Sequence, residues 1–110
     1  MKRQVQAAAA GGHVVIAELE LRPERADEFV ALARSFAAEC QAREAGCRQF
    51  QAVRLASTPP RVLFFEVYDD AAAFEAHCAS EHLARFQAAF QGLVASQQPL
   101  RQGRLEAVGA

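Results

Sequence analysis

Apolar and polar residues change their spacing several times along this chain, and each change marks an element. The β-branched run Val14-Val15-Ile16 gives way to Ala17, Leu19 and Leu21 alternating with Glu18 and Glu20, the two-residue period of a strand over 13–21. Pro23 then suits a first helical position, where its missing N–H would be unpaired anyway. From Ala26 the period lengthens. Phe29, Val30, Ala33, Phe36, Ala37 and Cys40 form one helical stripe, with Asp27, Glu28, Arg34 and Glu39 on other faces. Early acidic residues, Arg43 near the end and Gly46 just beyond match the helix dipole and a glycine stop.

Residues 47–56 predict a second strand, Ser57-Thr58-Pro59-Pro60 a return turn, and 61–68 the most apolar and therefore central strand. Asp69 or Asp70 caps a second helix, and Ser80 restarts or bends it. Leu83, Phe86, Phe90, Leu93 and Val94 continue its buried stripe. Beyond Pro99, residues 100–108 predict a weak strand, either at a sheet edge or as an arm exchanged between subunits. The order strand–helix–strand–strand–helix–strand predicts an α+β fold of the ferredoxin-like, split βαβ kind. Its helices cover one sheet face. Val62, Phe64 and Phe50 compete with Leu63 and Phe65 for burial, so the other face is apolar too, which predicts a homodimer.

At 110 residues the chain holds one domain, expected over 13–108, after a flexible extension over 1–12 that ends in four alanines and Gly11-Gly12. A net charge of −1 with scattered basic residues supplies no footprint for nucleic acid, and no window is apolar enough to span a membrane. Cys40, Cys47 and Cys78 form no CxxC pair, and the N-terminus makes a poor signal peptide, so reduced thiols in a cytoplasm are expected.

Three polar residues stand out: Glu66, His77 and His82. Five positions apart, the two histidines sit about 500° around an unbroken helix and face different ways. A break at Ser80 would let them converge. Each also has a plain structural reading: His77 bonded to a carbonyl, His82 facing solvent, and Glu66 paired with Arg48 or Arg54 across the sheet. The alternative for Glu66 is a cavity acid with a raised pKa. Their spacing is not that of HxxxH or HExxH, and no metal or cofactor is expected.

The segment Glu44-Ala45-Gly46-Cys47 with Phe50 resembles the E-x-G-C…aromatic signature of the antibiotic biosynthesis monooxygenase family. Phe65-Glu66-Val67-Tyr68, Ala76-His77 and Ser80-Glu81-His82 are similar to its E-x-[WY]…A-H-x-x-[ST]-x-H signature. Glu81 stands where the family usually has proline. The chain lacks Trp and an Asn near the first strand, which sets aside the haem-degrading branch. The resemblance implies a dimeric α+β barrel with a cavity in each subunit between sheet and helices. It also implies a cofactor-free monooxygenase acting with molecular oxygen on a quinol or phenol.

On that basis His77 is the expected base, Glu66 orients it or takes the proton, and His82 donates to a substrate oxygen. Phe36, Phe50 and Tyr68 would shape an aromatic-binding cavity. Two other readings stay open. One is an isomerase or lyase of a small polar metabolite, with Arg48 and Arg54 as anion-binding candidates. The other is a non-catalytic dimeric ligand-binding module.

Overall fold

The computed structural model describes residues 11–106. In chain order it contains β1 (His13–Leu21), α1 (Ala26–Arg43), β2 (Cys47–Leu55), β3 (Arg61–Tyr68), α2 (Ala71–Cys78), α3 (Glu81–Phe90), β4 (Val94–Gln97) and β5 (Arg101–Arg104). A short 3-10 turn, Pro23–Arg25, leads into α1. The strands form an antiparallel sheet ordered β2-β3-β1-β4, with β5 also paired to β1. This is the α+β, ferredoxin-like arrangement that the element order predicts.

Strand alternation decides what faces the helices. Val15, Ala17, Leu19 and Leu21 of β1 are all buried, as are Val62, Phe64, Glu66 and Tyr68 of β3. Register places Val15 opposite Glu66 on one side and Phe50 opposite it on the other. Phe29, Ala33, Phe36 and Cys40 of α1 close over this face, and Phe86 of α3 joins them. The opposite face carries Ile16 opposite Phe65 and Val53 opposite Leu63. It is also apolar: Ile16, Leu63 and Phe65 are half-buried and Val53 is exposed.

Two expectations change at the C-terminal end. Leu93 and Val94 do not extend the last helix: α3 stops at Phe90, and Gly92 turns the chain with φ +86°. A positive φ is open to glycine because it has no Cβ, so the apolar pair that follows is redirected into a turn and onto β4. The single strand expected over 100–108 is instead two short ones. β4 pairs with Leu19–Leu21 and β5 with His13–Ile16 along the same edge of β1. Pro99 lies in the gap between them, where a residue without an N–H costs no ladder bond.

Residues 1–10 of the expected extension and 107–108 of the expected domain lie outside the described residues. Gly11 donates to the Leu105 carbonyl at 2.9 Å, and Leu105 donates to the Gly12 carbonyl at 2.8 Å, so the described end of the extension is tied to the residue that follows β5. No helix among the described residues is long and apolar enough to cross a membrane.

Candidate functional site

The centre of the sheet supplies an acid. Glu66 is 4% exposed and sits between Val15 and Phe50 on neighbouring strands. Tyr68, two residues on and on the same face, donates its hydroxyl to Glu66 Oε1 at 2.7 Å. Loss of water is the largest influence and pushes the carboxyl up to about 7; the Tyr68 hydrogen bond opposes it, and the charge of Glu44 adds to it. The alternative pairing with arginine does not form. Arg48 binds Asp69 at 2.8 Å and Arg54 binds Asp27 at 2.8 Å, both at the surface. Among the described residues Glu66 is therefore a buried acid with no Arg or Lys paired to it.

The helix ends supply the second cluster. Glu44 is the residue that closes α1, one turn after Cys40. Gly46 follows, and a Cβ there would come within 2.6 Å of the Ala73 Cβ, so glycine is what lets α2 approach so closely. The Gly46 carbonyl accepts from Asp69 N at 2.8 Å, and Asp70 caps α2 by accepting from Ala73 N. This contact brings His77, in the last turn of α2, beside Glu44: Nδ1 donates to Glu44 Oε2 at 2.9 Å. Ser80 then links the helices. Its hydroxyl donates to the His77 carbonyl at 2.7 Å and accepts from Leu83 N at 3.2 Å, capping α3. The break turns His82 back toward the same carboxylate, and its Nε2 donates to Glu44 Oε2.

Cys40 Sγ lies 3.9 Å from His77 Nδ1. Burial, followed by the Glu44 charge, pushes the Cys40 thiol well above its ordinary value. Glu44 Oε1 is buried with no hydrogen-bond partner among the described residues.

A cavity of about 230 Å³ lies between sheet and helices. Val15, Ala17, Leu19 and Phe64 form its floor, and Phe36, Phe50, Phe74, Phe86 and Phe90 its aromatic walls. Glu66, His77, Cys78, Gln87 and Gln97 are its polar contributors, and Leu100 stands at the sheet edge. The His77 ring centroid lies 5.7 Å from Phe50 and 5.9 Å from Phe36, with Phe74 stacked at 6.1 Å. With Nδ1 held by Glu44, Nε2 is the nitrogen left without a partner among the described residues.

Glu66, His77, Phe36 and Phe50 thus line one cavity. Tyr68 and His82 do not. Tyr68 is fully buried behind Glu66, and His82, expected to meet substrate, spends its Nε2 on Glu44. Glu66 does not orient His77; Glu44 does. Neither Arg48 nor Arg54 reaches the cavity wall. Glu44 and Cys40 are the residues that sequence reasoning missed as site residues, although Glu44 opens the E-x-G-C motif.

The model of the antibiotic biosynthesis monooxygenase family matches residues 12–89, well over half of the chain. This chain belongs to that family. Solved structures agree on the fold. A Caulobacter crescentus CB15 protein that carries the same family name superposes with a TM-score of 0.76 at 24% identity, covering 96% of this chain and 98% of its own. SO0527 from Shewanella oneidensis gives 0.74 at 26% identity, over 86% and 93%. A Bacteroides thetaiotaomicron protein, also carrying the family name, gives 0.72 at 22% identity, over 90% of each chain. No curated protein matches. Family membership gives the motif residues a physical reading here: Gly46 for helix approach, Ser80 for the helix restart, and Glu44 for the histidines.

Proposed function

We propose that this family member is a monooxygenase acting with molecular oxygen on a small quinol or phenol, with His77 as the base. The carrying observation is that His77 and Glu66 line one aromatic cavity, each held from behind by a partner, Glu44 and Tyr68. A carboxylate on Nδ1 keeps the imidazole in the tautomer whose bare Nε2 faces the cavity, and it stabilises the imidazolium that forms. Removing the phenolic proton leaves an electron-rich anion that reduces oxygen directly. In a quinol one oxygen atom enters the ring at a C–H ortho to the ionised hydroxyl and the other leaves as water, converting quinol and oxygen to hydroxyquinone and water. In a phenol with a free para C–H the same step at that carbon gives quinone and water. Glu66, poised to ionise at about 7, hydrogen-bonds the second substrate oxygen.

Cavity size favours one or two rings: roughly 150 Å³ takes a benzene, and about 230 Å³ is present. Among the described residues no Arg or Lys lines the cavity, which disfavours a phosphorylated metabolite as substrate. The apolar outer sheet face supports a homodimer, with two sheets packed across a two-fold axis.

Oxygen consumption across a panel of hydroquinones and dihydroxynaphthalenes tests the reading. His77→Ala is expected to lower kcat/KM by about 10²–10⁴-fold with the fold intact by circular dichroism. No uptake by the wild type on any member of the panel overturns the reading for these substrates.

A further inference from the structure

Behind His77, on the side away from the cavity, four donor groups converge: Cys40 Sγ, Glu44 carboxylate, His77 Nδ1 and His82 Nε2. All four ligand atoms lie within 4.8 Å of one another. They come from the last turn and end of α1, the last turn of α2 and the first turn of α3. We infer that this cluster is a buried divalent transition-metal site of the zinc class, formed where the three helices meet.

Three observations carry the inference. The first is geometry. Zinc binds sulfur at about 2.3 Å and nitrogen or oxygen at about 2.0–2.2 Å, so neighbouring ligands of a tetrahedron are about 3.3–3.8 Å apart. Sγ to Nδ1 at 3.9 Å lies just beyond that spacing, while Nδ1 to Oε2 at 2.9 Å and His82 Nε2 to the same oxygen fall short of it. Glu44 therefore has to swing away from the two imidazoles as a cation enters between them.

The second is hydrogen-bond accounting. Both imidazoles are directed at Glu44 Oε2, while Oε1 is buried and unpartnered. Protons alone leave an acceptor unsatisfied, whereas a cation held by the carboxylate neutralises both oxygens.

The third is charge. Among the described residues Glu44 has no Arg or Lys partner. One thiolate, one carboxylate and two neutral imidazoles carry two negative charges, which a divalent cation cancels in a site that excludes water. A coordinated thiol gives up its proton on binding. The donor set of one sulfur, two imidazole nitrogens and one carboxylate also suits zinc better than the hard cations magnesium or calcium.

Occupancy has a consequence that rests on His77 being the base. A metal on Nδ1 leaves the ring proton on Nε2, turning the cavity-facing nitrogen from acceptor to donor, so His77 acts as the base in the metal-free form and occupancy switches it off.

The test uses tag-free, chelator-stripped full-length protein titrated with Co²⁺ alone. Expected are one equivalent bound per chain, the intense visible bands of tetrahedral cobalt, a near-ultraviolet thiolate-to-cobalt band, and displacement of all three by Zn²⁺. Cys40→Ser should lose the thiolate band, and His82→Ala, which removes a direct ligand, should weaken binding by more than the roughly 10–100-fold that loss of an outer-shell partner costs. Cys78→Ser should keep the full spectrum. Wild-type protein without these bands overturns the inference, as do bands that survive Cys40→Ser. The wild-type spectrum decides even if a variant fails to fold. The cobalt readout is independent of turnover, so an absent metal and an absent oxygenase activity are distinguished.

Discussion

Glu66 joins stability to pH. Its carboxyl titrates at about 7 in the folded chain, against 4.5 for an unburied one, because the sheet removes its water. Below 4.5 both folded and unfolded states hold the proton. Between 4.5 and about 7 the folded state alone holds it, so stability falls as pH rises through that window and levels off above it. The full loss amounts to about 3 kcal/mol. Glu66→Gln keeps an acceptor for Tyr68 and abolishes the titration. Its stability relative to wild type should rise from about pH 5 to about pH 8, measured as urea midpoints at each pH. A difference that stays constant would show that Glu66 does not carry the titration. Glu66 was legible in the sequence because a carboxylate in the most apolar strand has to be explained. Glu44 was not: beyond a helix end it looks like any solvated acid, and its partners lie 33 and 38 residues away.

Ser80 does the corresponding work at the level of elements. By binding the His77 carbonyl and capping α3, it converts one long helix into two and lets both histidines reach Glu44. Ser80→Ala should cost about 1 kcal/mol, the usual loss for an N-cap, with Ser80→Thr recovering most of it in urea unfolding. If the alanine variant is as stable as wild type, the cap is not holding the break. The restart was readable because a Ser at a fixed offset before an apolar stripe has a specific backbone use. The end of α3 was misread because Leu93 and Val94 fit a helical stripe as well as a strand. Gly92 decides between them through a backbone angle that no side-chain periodicity reports.

Over the whole molecule, the feature with a consequence is the outer sheet face. Ile16, Leu63, Phe65 and Val53 form an apolar surface that no helix among the described residues covers. If a second copy covers it, light scattering should report a dimer, and Phe65→Asp should shift the chain toward monomer by placing an unpaired charge in the interface. A monomeric wild type would remove the dimer from the proposed function and leave the cavity reading in place.

The sequence by itself determined the order of strands and helices as far as α3 and the α+β class, and it singled out Glu66, His77 and His82 as candidates without saying which of them face the cavity. Local periodicity and capping chemistry act over a few residues and are written directly in the chain. Tertiary structure decided the partners. Glu66 stayed alone because Arg48 and Arg54 pair with Asp69 and Asp27, His77 met Glu44 and Cys40 through the close approach of α2 at Gly46, and His82 met Glu44 through the break at Ser80. Those contacts join positions far apart in sequence, and only the packed helices and sheet bring them within hydrogen-bonding distance.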